Sequence, residues 1–458
     1  MIRTEGLGAH AAAVEAALDR LVEVRAVERI LARDYTLWRP DPDEIADRLG
    51  WLDAPSRANG RLGPARALAA EARAAGLSRA LLAGMGGSSL APEVFQRVFG
   101  PDPEGLDLEV LDTTDPAAVA RARADYEPSL TLVLVSSKSG TTVETLSLFK
   151  RLWRDAVETL GEAGAAERFV AITDPGSALA ETAGELGFRA VFLPDPDVGG
   201  RYSALTEFGL VPAALVGVDL DRLLGRARAM AEACAVPDPR ANPGARLGAV
   251  LGGLAAAGRD KLTLWLPPPI AAFGAWLEQL IAESTGKDGT GILPVLETPH
   301  SQPERYGDDR LFVGLRLPGP DASGDALDAL CTAGHPVVRL DLADRYDLSG
   351  QIYLWEFATA VAGFLLGVQP FDQPDVEAAK ARAKELLDRS RGEGTVPEDP
   401  PVAFDAGVAI HGDLHAADLP GALAALLEDA RPPEYLAVLA WLPPFPELAA
   451  ALGRLRET

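Results

Sequence analysis

The sequence predicts an α/β protein built around two parallel β-sheets. Two observations carry this prediction. Short apolar runs alternate with segments of helical spacing, and the alternation occurs twice, over residues 60–215 and again over 245–390. Strands that are separated by helices pair in parallel, because each return connection crosses the sheet. With 458 residues, 48% of them hydrophobic, the chain can enclose cores of that size.

Helices are predicted ahead of the first sheet. Apolar residues between positions 10 and 35 recur at helical spacing, and the segment 43–55, after Pro40 and Pro42, predicts another short helix. We therefore expect an N-terminal helical segment over residues 1–59.

The first sheet is predicted within a domain of residues 60–240. Its apolar runs have the length of buried strands, and the segments between them have helical spacing. The predicted strands span 79–83, 106–112, 131–137, 167–174 and 190–195, and the predicted helices span 90–99, 116–126, 143–160, 177–187 and 219–234.

The second sheet is predicted within a domain of residues 241–390, and a C-terminal α/β tail over 391–458. The predicted strands of this domain span 261–267, 291–297, 310–317 and 336–342, with helices over 270–285 and 352–367. The Pro- and Glu-rich stretch 391–401 is typical of a linker. In the tail the run YLAVLAWLP, residues 435–443, predicts one strand, accompanied by two helices.

Composition excludes several classes of function. With 43 Lys and Arg against 67 Asp and Glu, the net charge is −24, which repels nucleic-acid phosphates. The two cysteines, Cys234 and Cys331, lack metal-site spacing and form no disulfide framework. The start MIRTEGLGAH has no apolar signal region, and no apolar run reaches membrane-spanning length. We expect a cytoplasmic protein with no metal, cofactor, membrane or nucleic-acid partner.

Two loops follow predicted strands and open predicted helices. The first, GMGGSS at 84–89, includes Gly87 and Ser88 and is either an anion-binding turn or an ordinary tight turn. The second, SSKSGTT at 136–142, places five hydroxyls and one ammonium in seven residues. A Ser or Thr helix cap partnered by Glu144 would need only one of those hydroxyls, so the pattern favours a phosphate cradle.

Three further segments carry polar groups that suit catalysis. Arg201 follows a glycine pair in GGRYS, although many such arginines are surface residues. Gln279 and Glu283 share one helix face, and Glu283 lies near the C-terminal end, where the helix dipole favours proton uptake by a carboxylate; a solvated helix-end Glu is the alternative. Gln373 and Lys380 follow Phe371 and Asp372, on either a site helix or a capped surface helix.

In this order the segments GGS, SKSGTT, GGRYS, QxxxESTGK and DQPxVExxK resemble the phosphoglucose isomerase family over residues 84–380. The segment ARDYTLWRPDPDEIADRLGWLD is similar to the isomerase half of fused transaldolase/phosphoglucose isomerases. The resemblance implies two SIS-type (sugar-isomerase) three-layer αβα domains and interconversion of glucose 6-phosphate and fructose 6-phosphate in glycolysis and gluconeogenesis. It also implies a homodimer.

The resemblance implies roles residue by residue. Glu283 would move a proton between C2 and C1, Arg201 would stabilise the cis-enediolate, and Lys380 would assist at the ring oxygen. The remaining matched positions would bind the sugar phosphate; they are Gly87, Ser88, Ser137, Lys138, Ser139, Thr141, Thr142, Gln279 and Gln373.

One family feature is not matched clearly. The family opens the sugar ring with a histidine, and His300 in ETPHSQPERYGDDR is the candidate, although its surroundings differ from the family segment. Two other functions stay open: a dual glucose/mannose-phosphate isomerase, and a non-catalytic sugar-phosphate-binding SIS protein that partners a transaldolase.

Overall fold

A computed structural model describes residues 2–100, 103–297, 302–319, 324–394, 400–429, 434–442 and 445–457. The chain forms two compact units, residues 1–372 and 373–458, which are described separately. The predicted α/β class is confirmed. The predicted division into four segments stays a prediction.

The first unit begins with a strand and helices. These elements are β1 (Ile2–Glu5), α1 (Ala11–Glu23), α2 (Ala26–Leu31), α3 (Ala54–Ala58) and α4 (Leu62–Ala74). The helix predicted over 10–35 is broken because Arg25 adopts a left-handed φ of 54°. The short helix predicted over 43–55 is wrong for most of its length: turns precede a 3₁₀ turn at Gly50–Asp53, and only α3 is α-helical.

Five parallel strands form the first sheet, in the order β3-β2-β4-β5-β6. The strands β2 and β4 are buried almost throughout, which explains their continuous apolar sequence. In chain order the elements are β2 (Arg79–Gly84), α5 (Leu90–Phe99), β3 (Asp107–Leu111), α6 (Pro116–Asp125), β4 (Thr131–Ser136), α7 (Val143–Ala166), β5 (Phe169–Ile172), α8 (Ala178–Glu185) and β6 (Ala190–Phe192).

Three helices lead to the second sheet: α9 (Glu207–Val216), α10 (Leu220–Cys234) and α11 (Pro243–Ala256). This sheet has the order β1-β10-β9-β7-β8, and only β1 runs antiparallel. Its elements are β7 (Lys261–Trp265), α12 (Phe273–Thr285), β8 (Leu293–Leu296), β9 (Arg310–Arg316), α13 (Gly324–Thr332), β10 (Val337–Asp341) and α14 (Leu348–Leu366).

The second unit holds α15 (Pro374–Glu393), β11 (Ala403–Asp405), β12 (Val408–Ile410), α16 (Leu419–Asp429) and α17 (Pro446–Glu457). The strands β11 and β12 form an antiparallel pair. The strand predicted over 435–443 is wrong, because the described residues 434–442 have no strand conformation. The predicted linker at 391–401 begins too early, because α15 continues to Glu393.

Candidate active site

Two loops lie side by side where β2 and β4 end. These strands are paired, with Gly84 opposite Ser136. The hydroxyl of Ser136, which is fully buried, donates a hydrogen bond of 3.1 Å to the carbonyl oxygen of Ser88. The loops GMGGSS and SSKSGTT therefore meet at the carboxyl end of the first sheet, where ligands of parallel sheets bind.

The hydroxyls of the second loop contact one another in pairs. Ser137 Oγ lies 3.2 Å from Thr142 Oγ1, and Ser139 Oγ lies 2.9 Å from Thr141 Oγ1. Thr142 is the N-cap of α7 yet accepts no capping hydrogen bond through its side chain. The simple capping alternative therefore does not describe this loop. Its hydroxyls surround a helix N-terminus, whose N–H groups and dipole favour an anion.

Lys138 points toward the loop after β5. Its ammonium donates 2.6 Å to Asp174 Oδ2 and 2.9 Å to the Pro196 carbonyl oxygen. Burial raises the pKa of Asp174, and the bond from Lys138 opposes that rise. The structure thus gives Lys138 a carboxylate partner beside the hydroxyl pairs.

Two glycines let the first loop approach the other predicted segments. A Cβ built on Gly87 would lie 2.2 Å from the Gly200 carbonyl oxygen, and one on Gly86 would lie 2.8 Å from Gln279 Nε2. These distances are below van der Waals contact, so a side chain at Gly87 would displace backbone. The loop thus contacts both the GGRYS turn and α12.

Glu283 and Arg201 form an ion pair at this junction. Arg201 Nη1 donates 2.6 Å to Glu283 Oε1, and Gln279 Nε2 donates 3.1 Å to Glu283 Oε2. The Arg201 side chain is 5% exposed and that of Glu283 is 20% exposed. A carboxylate whose two oxygens both accept charge-assisted or amide hydrogen bonds is held in one orientation. Ionised, it can accept a proton.

The guanidinium of Arg201 has further partners. Its Nε donates 3.1 Å to Ser284 Oγ, and its Nη2 donates to the carbonyl oxygens of Pro370 and Asp372 at 3.0 and 2.9 Å. The 3₁₀ turn Gly200–Tyr202 and the buried Tyr202 ring anchor its backbone. Arg201 is therefore a fixed cation, not the surface arginine that GGRYS alone would allow.

Gln373 and Lys380 lie in the second unit. Gln373 is the N-cap position of α15, and its Nε2 lies 3.4 Å from Glu377 Oε1. Lys380 donates 2.7 Å to the same oxygen, and this bond lowers the pKa of Glu377. The side chain of Lys380 is about half exposed. His300 lies outside the described residues.

Lys287, Asp372 and Gln369 surround the Glu283–Arg201 pair and had no role in the sequence prediction. Lys287 stands four residues after Glu283 in the matched ESTGK segment, and Asp372 stands in DQP, so both were visible in the motifs. The contacts of Asp372 with Arg201 and with Lys287 depend on tertiary structure, which motif spacing alone does not supply.

Comparisons with known proteins identify the family. The family model of phosphoglucose isomerase matches residues 72–291. A glucose-6-phosphate isomerase of Symbiobacterium thermophilum is 32% identical over 392 residues, which cover 74% of this chain and 86% of that relative. The chain belongs to the phosphoglucose isomerase family. A second family member, the glucose-6-phosphate isomerase of Rubrobacter xylanophilus, is 31% identical over 385 residues, covering 73% of this chain and 88% of its own.

Two solved structures share the fold. A hypothetical protein from Thermus thermophilus has a TM-score of 0.72 and 27% identity, covering 84% of this chain and 100% of its own. A glucose-6-phosphate isomerase from Chlamydia trachomatis has a TM-score of 0.69 at 19% identity, covering 82% and 86%. Family membership makes this chain an isomerase, and the SIS-type α/β prediction is confirmed.

Two other sequence expectations concern the whole chain. Within the described residues, no helix has the length and apolar character that a membrane crossing requires. Over the same residues, His, Cys, Asp and Glu side chains form no group of three or more with the arrangement of a metal site.

Proposed function

We propose that this chain interconverts glucose 6-phosphate and fructose 6-phosphate, with Glu283 as the base. The observation that carries the proposal is the Glu283–Arg201 ion pair. Gly200 and Gln279 beside this pair approach the loop that borders the hydroxyl-lined N-terminus of α7. Aldose–ketose isomerisation needs a base, a fixed positive charge and a grip on the phosphate, and these segments supply groups of each kind.

Glu283 would act on the open-chain sugar. In the aldose it removes the C2 proton, and electrons move toward the C1 oxygen to give the cis-enediolate. The proton of the C2 hydroxyl passes to the C1 oxygen, and return of the carbon proton to C1 then gives the ketose, so no net acid, base or electron is consumed. Arg201 would stabilise the negative charge on the enediolate oxygens, as a cation that its hydrogen bonds hold in place before the reaction.

The phosphate would bind away from the reacting carbons. Hydroxyls of Ser137, Ser139, Thr141 and Thr142 adjoin the N-terminus of α7, and Ser88 stands on the neighbouring loop. Phosphate accepts hydrogen bonds from such groups. Gly87 allows the close backbone approach, and Gln279 would contact the sugar while orienting Glu283. Because phosphate binding is remote from C1 and C2, its free energy can position the chain of the sugar.

Ring opening is assigned by resemblance. We propose Lys380 as the group at the ring oxygen, Gln373 as a pocket residue, Lys138 as a cation near the cradle and His300 as the ring-opening acid. We further propose a cytoplasmic homodimer, of which the family resemblance implies the dimer. Association with a separate transaldolase is proposed on the similarity to fused relatives.

The decisive test is a coupled assay of fructose 6-phosphate conversion in wild type, Glu283→Gln and Glu278→Gln. Glu278 lies on the same helix with its side chain exposed, so it controls for the chemical change itself. Replacing the base should lower kcat by about 10³-fold or more while sugar-phosphate binding survives, and Glu278→Gln should keep wild-type turnover.

Other outcomes separate the alternatives. Turnover retained in Glu283→Gln would refute the assignment of the base. A wild type with no turnover, whose melting temperature still rises with fructose 6-phosphate, would support the sugar-phosphate-binding protein. Rates measured with mannose 6-phosphate would distinguish a dual-specificity isomerase.

A further inference from the structure

Lys287 lies just beyond the C-terminal end of α12, on a turn that fixes its backbone. Its N–H and carbonyl oxygen each hydrogen-bond to Thr290, at 3.0 Å, and Asp288 and Gly289 between them have φ of 54° and 75°. Two successive positive φ values are those of a type I′ turn, for which Asp-Gly is a favoured pair. The position of Lys287 is therefore set independently of its side chain.

The side chain of Lys287 is 6% exposed and its ammonium has three acceptors. Nζ donates 2.6 Å to the Gln369 carbonyl oxygen and 2.9 Å to that of Asp372, and it also contacts Asp372 Oδ1. Burial lowers the pKa of Lys287, Arg201 acts in the same direction, and the Asp372 carboxylate opposes both. An enclosed ammonium with three acceptors uses all of its donors.

The same loop, residues 369–372, also binds Arg201. The Asp372 carbonyl oxygen accepts from both Lys287 Nζ and Arg201 Nη2, each at 2.9 Å. Inside the loop, Gln369 Oε1 accepts from the backbone N–H groups of Phe371 and Asp372, at 2.6 Å each. These internal bonds turn the loop so that its carbonyl oxygens face the two cations.

We propose that Lys287 is a positioning residue for the Glu283–Arg201 pair, and that it acts by neutralising Asp372 and holding loop 369–372 against Arg201. The inference rests on the proposed isomerase function, and it adds to that function a residue for which neither the motifs nor the comparisons give a role. Lys287 acts through Arg201 and need not contact the sugar.

The four charged groups of this cluster form two ion pairs. Arg201 and Lys287 are cations, and Glu283 and Asp372 are anions, so each carboxylate has a partner. Without the ammonium, the part-buried Asp372 carboxylate would lack its partner, and burying an unpaired charge is costly. Arg201 already donates to the carbonyl oxygen of Asp372, so an unpaired Asp372 carboxylate would compete with Glu283 for the Arg201 guanidinium.

The test compares Lys287→Met, Asp372→Asn and the double variant in the full chain with fructose 6-phosphate. We expect Lys287→Met to lower kcat by about tenfold or more and to change KM by less than about threefold. The reason is that the group it displaces, the Arg201 guanidinium, acts on the reacting atoms. Asp372→Asn alone should have a smaller effect. Adding Asp372→Asn to Lys287→Met should restore at least about threefold in kcat, since the competing charge is gone.

Lys261→Met is the matched control. Lys261 is also a lysine of low exposure with two aspartate partners, Asp260 and Asp309, but it begins β7 in the second sheet. Lys261→Met should lower the melting temperature of the protein, as loss of a buried lysine does in general, and should leave kcat near the wild-type value. If Lys287→Met does not fold, Lys287→Gln keeps a neutral donor, and the same order of rates is expected.

A crystal structure of the Lys287→Met variant measures the distances in this cluster independently of any activity assay. The proposal expects an Asp372 carboxylate oxygen within about 3.5 Å of the Arg201 guanidinium, and a longer distance from Arg201 Nη1 to Glu283 Oε1. It is overturned if that distance is unchanged, if kcat stays within about twofold of wild type, or if the double variant is no faster than the single one. A wild type without isomerase turnover would refute the proposed function instead, and the crystal structure would then decide the role of Lys287.

Discussion

Glu356, in the middle of α14, is a carboxyl group enclosed by apolar neighbours. It is 1% exposed, and the residues around it on the helix are buried on all faces. Burial raises the pKa of Glu356 well above its usual range, so the folded protein keeps this proton to a higher pH than the unfolded chain does. A neutral acid avoids most of the cost of burying a charge.

This carboxyl group makes folding stability depend on pH. Above the ordinary Glu pKa of about 4.3, the unfolded chain releases a proton that the folded chain keeps, so stability falls as pH rises, by at most about 1.4 kcal/mol per pH unit. Below that pKa both states are protonated and the penalty disappears. Glu356→Gln removes the titrating group, so urea midpoints measured from about pH 4 to 8 should fall less steeply than those of wild type. Parallel curves would contradict the prediction.

At the residue scale, the sequence identified groups by chemical type but could not find every partner. Arg201, Gln279 and Glu283 were predicted from their motifs, and the structure brings them together. Glu356 and Lys287 gain their properties from burial by segments distant in sequence. The sequence pattern around either residue does not indicate that burial.

At the scale of elements, the site depends on how closely two loops approach. The contact between Gly87 and the Gly200 carbonyl oxygen leaves no room for a Cβ on Gly87, whereas a Cβ on Gly200 would have no atom within 4 Å. A side chain is therefore excluded at Gly87 and accommodated at Gly200, although each of them is the second glycine of a Gly-Gly pair.

Gly87→Ala tests this contact, with Gly200→Ala as its matched control. The added methyl group would push the GGRYS turn and Arg201 away from the first loop, so kcat/KM should fall by about 10- to 100-fold. Stability should fall by about 1–3 kcal/mol, as for overpacking elsewhere. Gly200→Ala should change stability by less than about 1 kcal/mol. Equal effects of the two substitutions, in the assay and in urea unfolding, would contradict the steric argument.

Strands were predictable where burial requires a continuous apolar sequence. The strands β2, β4 and β5 are apolar because helices cover both faces of the sheet. The edge strand β1 has four residues and no alternation, so it was missed. The run 435–443 was wrongly predicted as a strand because apolar character does not supply a pairing partner; Leu439 is 71% exposed and Trp441 is 81% exposed.

At the scale of the whole molecule, the main hydrophobic core belongs to the first unit. Its buried residues extend from Val14 to Phe371 and include positions in both five-stranded sheets. In the described part of the second unit only Ile410 and Ala422 are buried apolar residues. Because burial of apolar surface is the dominant favourable contribution to folding, stability resides in residues 1–372.

This distribution predicts that a chain of residues 1–372 folds alone. It keeps both sheets, Glu283, Arg201, Lys287 and Asp372, so its melting temperature should lie within about 5 °C of that of the full chain, a shift that corresponds to no more than a few kcal/mol. Limited proteolysis of the full chain should cut first after residue 372, where exposed backbone is accessible. Peptide mass analysis would locate those cuts.

The same truncation tests the residues assigned to the second unit. If Lys380 and Gln373 act on the sugar, the chain 1–372 should still bind fructose 6-phosphate through the hydroxyl-lined loop while its kcat falls by about 10²-fold or more. The full chain with Lys380→Met is the matched control, and it should reproduce much of that loss without removing the fold. Wild-type turnover in the truncated chain would refute the role proposed for Lys380.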